Sequence, residues 1–107
     1  MAKQTILVAC GNGMSSSMLA QRMQTEANAQ GLDVSVSAVA IKVVPSEVEK
    51  HHPGVVMIGP QVRYAVPDLQ KKVAIPVVMI DQRAYGMMDG KKVLADGLAL
   101  IAEHEQQ

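Results

Sequence analysis

Cys10 is the only cysteine in the chain, and the residues around it are of types that handle anions. It closes the apolar run Ile6-Leu7-Val8-Ala9 and opens Gly11-Asn12-Gly13-Met14-Ser15-Ser16-Ser17, after which a helical pattern begins. A strand that empties through glycines and serines into a helix builds an anion cradle. Backbone N–H groups turn inward, hydroxyls add donors, and the helix N-terminus supplies partial positive charge. A thiol at the mouth of such a cradle sits in a field that favours thiolate, and a phosphate bonded to its sulfur meets the same donors. The alternative is that a lone cysteine ending a buried strand is only a small core hydrophobe. Two features favour chemistry. Glycine and triple serine are poor helix formers, and a single N-cap needs one serine, not three. The surplus of donors implies a ligand, and the residues read as a chain that carries a phosphoryl group on Cys10.

Magnitudes support that reading. A helix N-terminus stabilises a nearby anion by roughly 0.3–1 kcal/mol, and a hydrogen bond to a charged sulfur by roughly 1.5–3 kcal/mol. Against about 1.36 kcal/mol per pKa unit, donors alone can bring a thiol into the thiolate form near neutral pH.

Other candidates are weaker. Adjacent side chains such as His51 and His52 do not face each other on a helix, and no cysteine or acidic cluster stands at ligand spacing, so no metal site is expected. His104 lies in a polar tail. Nothing in the sequence calls for a cofactor. Ten basic and ten acidic residues give zero formal charge, which removes the electrostatic footprint of a nucleic-acid binder. One cysteine cannot form an internal disulfide. The uncharged stretch from Gln4 to Gln21 is broken by Gly-Asn-Gly and Ser-Ser-Ser before a signal-peptide core or membrane span is complete. A soluble, cytosolic protein without membrane insertion is expected.

The elements that must position Cys10 follow from periodicity. Residues 1–107 are enough for one domain with one core, and with no Trp or Phe and two Tyr that core must be aliphatic, filled by Leu, Ile, Val, Ala and Met. Four Val/Ile-rich runs, Thr5–Ala9, Val34–Val39, Val55–Ile58 and Val77–Ile80, read as strands. The second alternates like an edge strand; the third and fourth are continuous and read as central strands buried on both faces. Helices are expected over Met18–Gln30, in a short piece at Pro45–Lys50, over Gln61–Lys72 with Pro67 restarting or kinking it, and along the Val93, Leu94, Gly97, Leu98, Ile101, Ala102 stripe. This alternation predicts a single-domain α/β fold: an open four-stranded parallel sheet, order 2-1-3-4, with helices on both faces, flavodoxin-like. Ligands in such folds bind beyond the carboxyl ends of the strands. Cys10, Gly59-Pro60-Gln61 and Asp81–Gly86 should therefore share one rim, with Gln61, Arg63, Arg83 and Tyr85 as possible rim or partner contacts.

The Cys10 loop is similar to that of low-molecular-weight tyrosine phosphatases, which reads Cys-x5-Arg-Ser/Thr, but Ser16 stands in the arginine position. No Asp-Pro pair follows to serve as general acid. A small cysteine phosphatase or arsenate reductase on that scaffold is the alternative these losses disfavour, and a module that merely binds phosphate is a third. More closely, the Cys10–Ser17 loop, Gly59-Pro60-Gln61-Val62-Arg63-Tyr64 and the Ile80-Asp81…Tyr85-Gly86-Met87-Met88…Gly90-Lys91-Lys92-Val93-Leu94 segment resemble the IIB component of the bacterial phosphotransferase system, lactose/cellobiose/chitobiose type. The resemblance implies that a phosphohistidine of the IIA protein passes its phosphoryl group to Cys10, with Gly11, Asn12, Gly13, Met14, Ser15, Ser16 and Ser17 holding the phosphate. Cys10 then transfers it to a sugar, a β-linked disaccharide such as cellobiose, chitobiose or lactose, held by the membrane permease IIC. It implies a phosphotransferase docking at the inner membrane face through IIC. Ala84 departs from the acidic residue expected before Tyr85-Gly86, which bears on partner contact there.

Overall fold

The computed structural model describes residues 4–11 and 14–105, apart from the side chains of Met14, Ser15 and Glu105. Its β-branched runs form four strands, β1 (Gln4–Cys10), β2 (Val34–Ala40), β3 (Val55–Ile58) and β4 (Val77–Met79). All pairings are parallel and the order is β2-β1-β3-β4, as expected. Register aligns Cys10 with Ala40 and Ala9 with Ile58, so the ends of β1, β2 and β3 open on one rim.

The two-residue period of β1 splits the core into two layers. Ile6 and Val8 face α1 (Met14–Ala29) and α5 (Gly90–Glu105), meeting Leu19, Met23 and Ala27 from the first and Val93, Leu94 and Ile101 from the second. Leu7 and Ala9 face the other way, toward Val44 of α2 (Val44–His51), Val62 of a 3-10 segment (Pro60–Ala65) and Leu69 of α3 (Val66–Lys72). Helices thus cover both faces. The two long helices approach closely at Gly90, where a Cβ would stand 2.7 Å from the Arg22 carbonyl carbon.

Several boundaries differ from the sequence reading. Helix α1 starts at Met14, not Met18, and takes the serines into its first turn, where backbone N–H groups have no intrahelical partner and serine costs little. Pro67 does restart the helix: it sits in the first turn of α3, after the 3-10 segment. The expectation that the fourth run is central is overturned. Strand β4 is an edge of three residues whose last, Met79, is 42% exposed. Met18 and Met87 are also exposed, so methionine serves the core only in part, at Met23 and Met57. The apolar stripe of α5 ends at Ile101, with Ala102 exposed.

Both sheet edges are covered by a glutamine. The Gln24 amide of α1 donates to the Val34 carbonyl and accepts from the Val36 N–H, each at 2.8 Å. The Gln70 amide of α3 donates to the Ile75 carbonyl and accepts from the Val77 N–H, again at 2.8 Å. In each case one planar amide bridges the outward carbonyl of residue i and the outward N–H of residue i+2, as a further strand would. Unpaired strand edges invite pairing with other chains, and these two amides occupy those groups.

Candidate functional site at the carboxyl rim

Cys10 ends β1 with its side chain 2% exposed. The first turns of α1 bring Ser16 beside it, and the Ser16 hydroxyl donates to Cys10 Sγ at 3.3 Å. Ser16 is fully buried, the only buried polar side chain among the described residues. Ser17 is exposed, as is Gly11. Asn12 and Gly13, and the side chains of Met14 and Ser15, lie outside the described residues, so the expected phosphate contacts there have no geometry to describe.

The neighbouring strand brings up the second wall. The Gly59 N–H donates to the Ala9 carbonyl at 2.8 Å, continuing the β1–β3 ladder past the end of β3. A Cβ at Gly59 would lie 3.2 Å from Gln61 Oε1 and 3.5 Å from both the Ala9 carbonyl oxygen and Tyr85 Cε2. Glycine is the residue that lets Gln61 and Tyr85 close on this point. One at Gly11 would be 3.8 Å from Val62 Cγ1, so Val62 forms an apolar flank next to Cys10.

The third wall comes from α4 (Gln82–Gly86), a short helix where the sequence reading had a loop. Its N-cap is Asp81, whose carboxylate accepts from the Ala84 N–H at 2.9 Å. That bond turns Tyr85 inward; the ring is buried. Pro60, Gln61, Arg63, Gln82, Tyr85 and Gly86 line a cleft of about 320 Å3. Gln61, Arg63 and Tyr85 therefore come together at this cleft. Arg83 does not line the cleft and points to solvent. Among the described residues neither Arg63 nor Arg83 forms an ion pair. Ala84 is 3% exposed and belongs to the α1/α5 core layer, so position 84 is not a surface contact; a carboxylate there would have to be buried. Gln82, Gly86 and Val62 were not singled out from the sequence. The Asp81 cap followed by a five-residue helix was the signal that could have found the first two.

The histidines stand apart from this site: His51 pairs with Glu47 at 3.8 Å, and His52 closes α2 in the left-handed region. Among the described residues no three His, Cys, Asp or Glu side chains cluster closely enough to hold a metal, and no helix is long and apolar enough to cross a membrane.

The carboxyl rim thus holds a buried strand-end cysteine with a hydroxyl on its sulfur, and a cleft lined by the segments that follow β3 and β4. Residues 5–96 match the model of the PTS system, lactose/cellobiose specific IIB subunit. The chain belongs to this family. Among its relatives, the oligo-beta-mannoside-specific EIIB component of Bacillus subtilis is 37% identical over 99 residues, 90% of this chain and 94% of that protein. The galactose-specific and cellobiose-specific EIIB components of Lactococcus lactis are each 36% identical over 101 residues, 89% of this chain and 94% of theirs. The solution structure of the cellobiose-specific IIB component of Borrelia burgdorferi superposes with a TM-score of 0.77 at 32% identity, covering 95% of this chain and 94% of that one. The lactose-specific IIB domain of Streptococcus pneumoniae gives 0.79 at 19% identity, covering 92% and 97%, and shares the fold. This IIB subunit is thus a component of a sugar phosphotransferase system.

Proposed function

We propose that Cys10 is the phosphoryl carrier of this IIB subunit, taking the group from a phosphohistidine of a IIA partner and passing it to a sugar held by the IIC permease. The observation that carries the reading is the chain's single thiol at the carboxyl end of β1, with a buried hydroxyl donating to its sulfur. In the first step the thiolate attacks phosphorus in line, the S–P bond forms, and the N–P electron pair returns to the donor imidazole, which takes up a proton. In the second, a sugar hydroxyl attacks, its proton is lost to solvent, and sulfur keeps the S–P electron pair.

The loop from Gly11 through Asn12, Gly13, Met14 and Ser15 to Ser17 holds the phosphoryl oxygens, through backbone N–H groups above all. With Ser16 where a phosphatase carries arginine, the phosphocysteine lacks the bidentate cation that would stabilise its hydrolysis. Gln61, Arg63 and Tyr85 around the cleft, and Arg83 outside it, are contacts for the partners. Residues 1–107 act as one carrier domain on the cytosolic face of the membrane. The sugar is a β-linked disaccharide, a class supported by the cellobiose and oligo-β-mannoside specificities of two relatives; the galactose specificity of a third at equal identity is consistent with the choice being made in IIC.

Incubation with phosphoenolpyruvate, the general phosphocarriers and IIA should add the mass of one phosphoryl group. The bond should be cleaved by iodine, resist hydroxylamine and map to Cys10. Cys10→Ser should abolish the gain, because a serine hydroxyl stays protonated where the thiol ionises, and should leave the melting transition in place. Label on His51, His52 or His104, or label persisting in Cys10→Ser, would overturn the reading.

A further inference from the structure

We infer that Ser16 is the residue that holds the charge of the Cys10 sulfur, donating its buried hydroxyl to the thiolate before transfer and again as the thiolate leaves. The inference rests on Cys10 as carrier and adds a role for a side chain beyond phosphate binding. The Oγ–Sγ distance of 3.3 Å suits a hydrogen bond to sulfur, and Ser16 has no exposed surface. A hydroxyl with no access to bulk water is not diverted to solvent, so its dipole stays available to the sulfur, where a low local dielectric strengthens it. Hydrogen bonds to charged groups are about twice as strong as neutral ones, so the bond favours thiolate over both thiol and phosphorylated sulfur. When the S–P bond forms, sulfur loses its charge and the hydroxyl turns to a phosphoryl oxygen. When that bond breaks toward the sugar hydroxyl, the electron pair returns to sulfur and the hydroxyl returns with it.

Charged and titratable groups on the surrounding elements are Lys42 after β2, Arg63 and Tyr64 in the 3-10 segment, and Asp81, Arg83 and Tyr85 after β4; the first on α1 is Arg22. All are common to the variants below, so comparison among those variants isolates the hydroxyl.

The test is a pH titration of thiolate ultraviolet absorbance, with Cys10→Ala as the blank for the two tyrosines. One cysteine makes the signal unambiguous. Ser16→Ala should raise the titration midpoint by about one pH unit, and Ser16→Thr should restore it. Ser16→Val, which matches threonine in shape without the hydroxyl, repeats the comparison should alanine disturb the helix. In onward transfer from phosphocysteine, the same variants lacking the hydroxyl should be roughly ten-fold slower. A midpoint unmoved in folded Ser16→Ala, or moved equally by Thr and Val, would overturn the assignment. Failure of wild-type phosphoryl uptake would instead overturn the carrier reading, because the titration needs no partner.

Discussion

Single side chains set the geometry of the rim, and Asp81 is the one whose work is easiest to isolate. Its carboxylate satisfies the Ala84 N–H, and the Tyr85 N–H bonds to its carbonyl at 2.9 Å. Together these bonds wind α4 and hold Tyr85 against Gly59. Removing an N-cap acceptor costs about 0.5–2 kcal/mol, so Asp81→Ala should lower the urea midpoint by that order with an unchanged slope. It should also slow phosphoryl uptake from IIA, because the cleft wall loosens. Asp81→Asn keeps a cap acceptor and should recover most of both. Full stability in Asp81→Ala would show that α4 is held by the packing of Ala84 and Tyr85 alone. Ala84 makes a related point: the resemblance led to the expectation of an acidic residue there, and its absence bore on partner contact, yet the position faces the core.

At the scale of elements, the two edge strands depend on helices for more than apolar cover. Gln24 and Gln70 come from different helices on opposite faces of the sheet, yet each bridges a carbonyl and the N–H two residues on. Leucine can pack at either position without offering those bonds. Gln24→Leu and Gln70→Leu should each cost about 1 kcal/mol, the net worth of ordinary hydrogen bonds, read from denaturant midpoints. The double variant should in addition self-associate, measured as concentration-dependent light scattering, because both edges are then free to pair. A double variant that stays monomeric would show that the short length of β4 and the helices flanking β2 protect the edges unaided.

Across the whole molecule, the sheet divides the core into two layers that share a backbone but few side-chain contacts. Ile6 lies in the α1/α5 layer and Ile58 in the layer under α2 and α3, both with no exposed surface. Each Ile→Val change should cost about 0.5–1.5 kcal/mol. Sites without shared partners add within about 0.3–0.5 kcal/mol, so the Ile6→Val, Ile58→Val double variant should equal the sum of the singles in equilibrium denaturation. A departure larger than that would mean that the sheet transmits strain between the layers. The arrangement also supports the rim without Phe or Trp: β1, which ends in Cys10, and β3, which leads into Gly59, are the two central strands.

What the residues alone determined is what depends on short-range pattern. Val/Ile-rich runs of four to six residues located all four strands, and strand-helix alternation with right-handed crossovers left the 2-1-3-4 order as the expected one. The same topology put Cys10, Gly59 and Asp81 on one rim before any contact was known. Tertiary structure decided whatever depends on pairing or facing. A continuous apolar run reads the same in a central strand and in a short edge strand, because periodicity reports side-chain burial and not backbone partners; the expected order put the fourth strand at an edge, and only the structure shows it cut to three residues ending in the exposed Met79. Arg63 and Arg83 look alike in sequence, each a few residues past the end of a strand; only the winding of α4 and the 3-10 segment brings the first to the cleft and leaves the second in solvent. Ser16 is one of three serines in a row, and only the winding of α1 shows that its hydroxyl is buried against the sulfur.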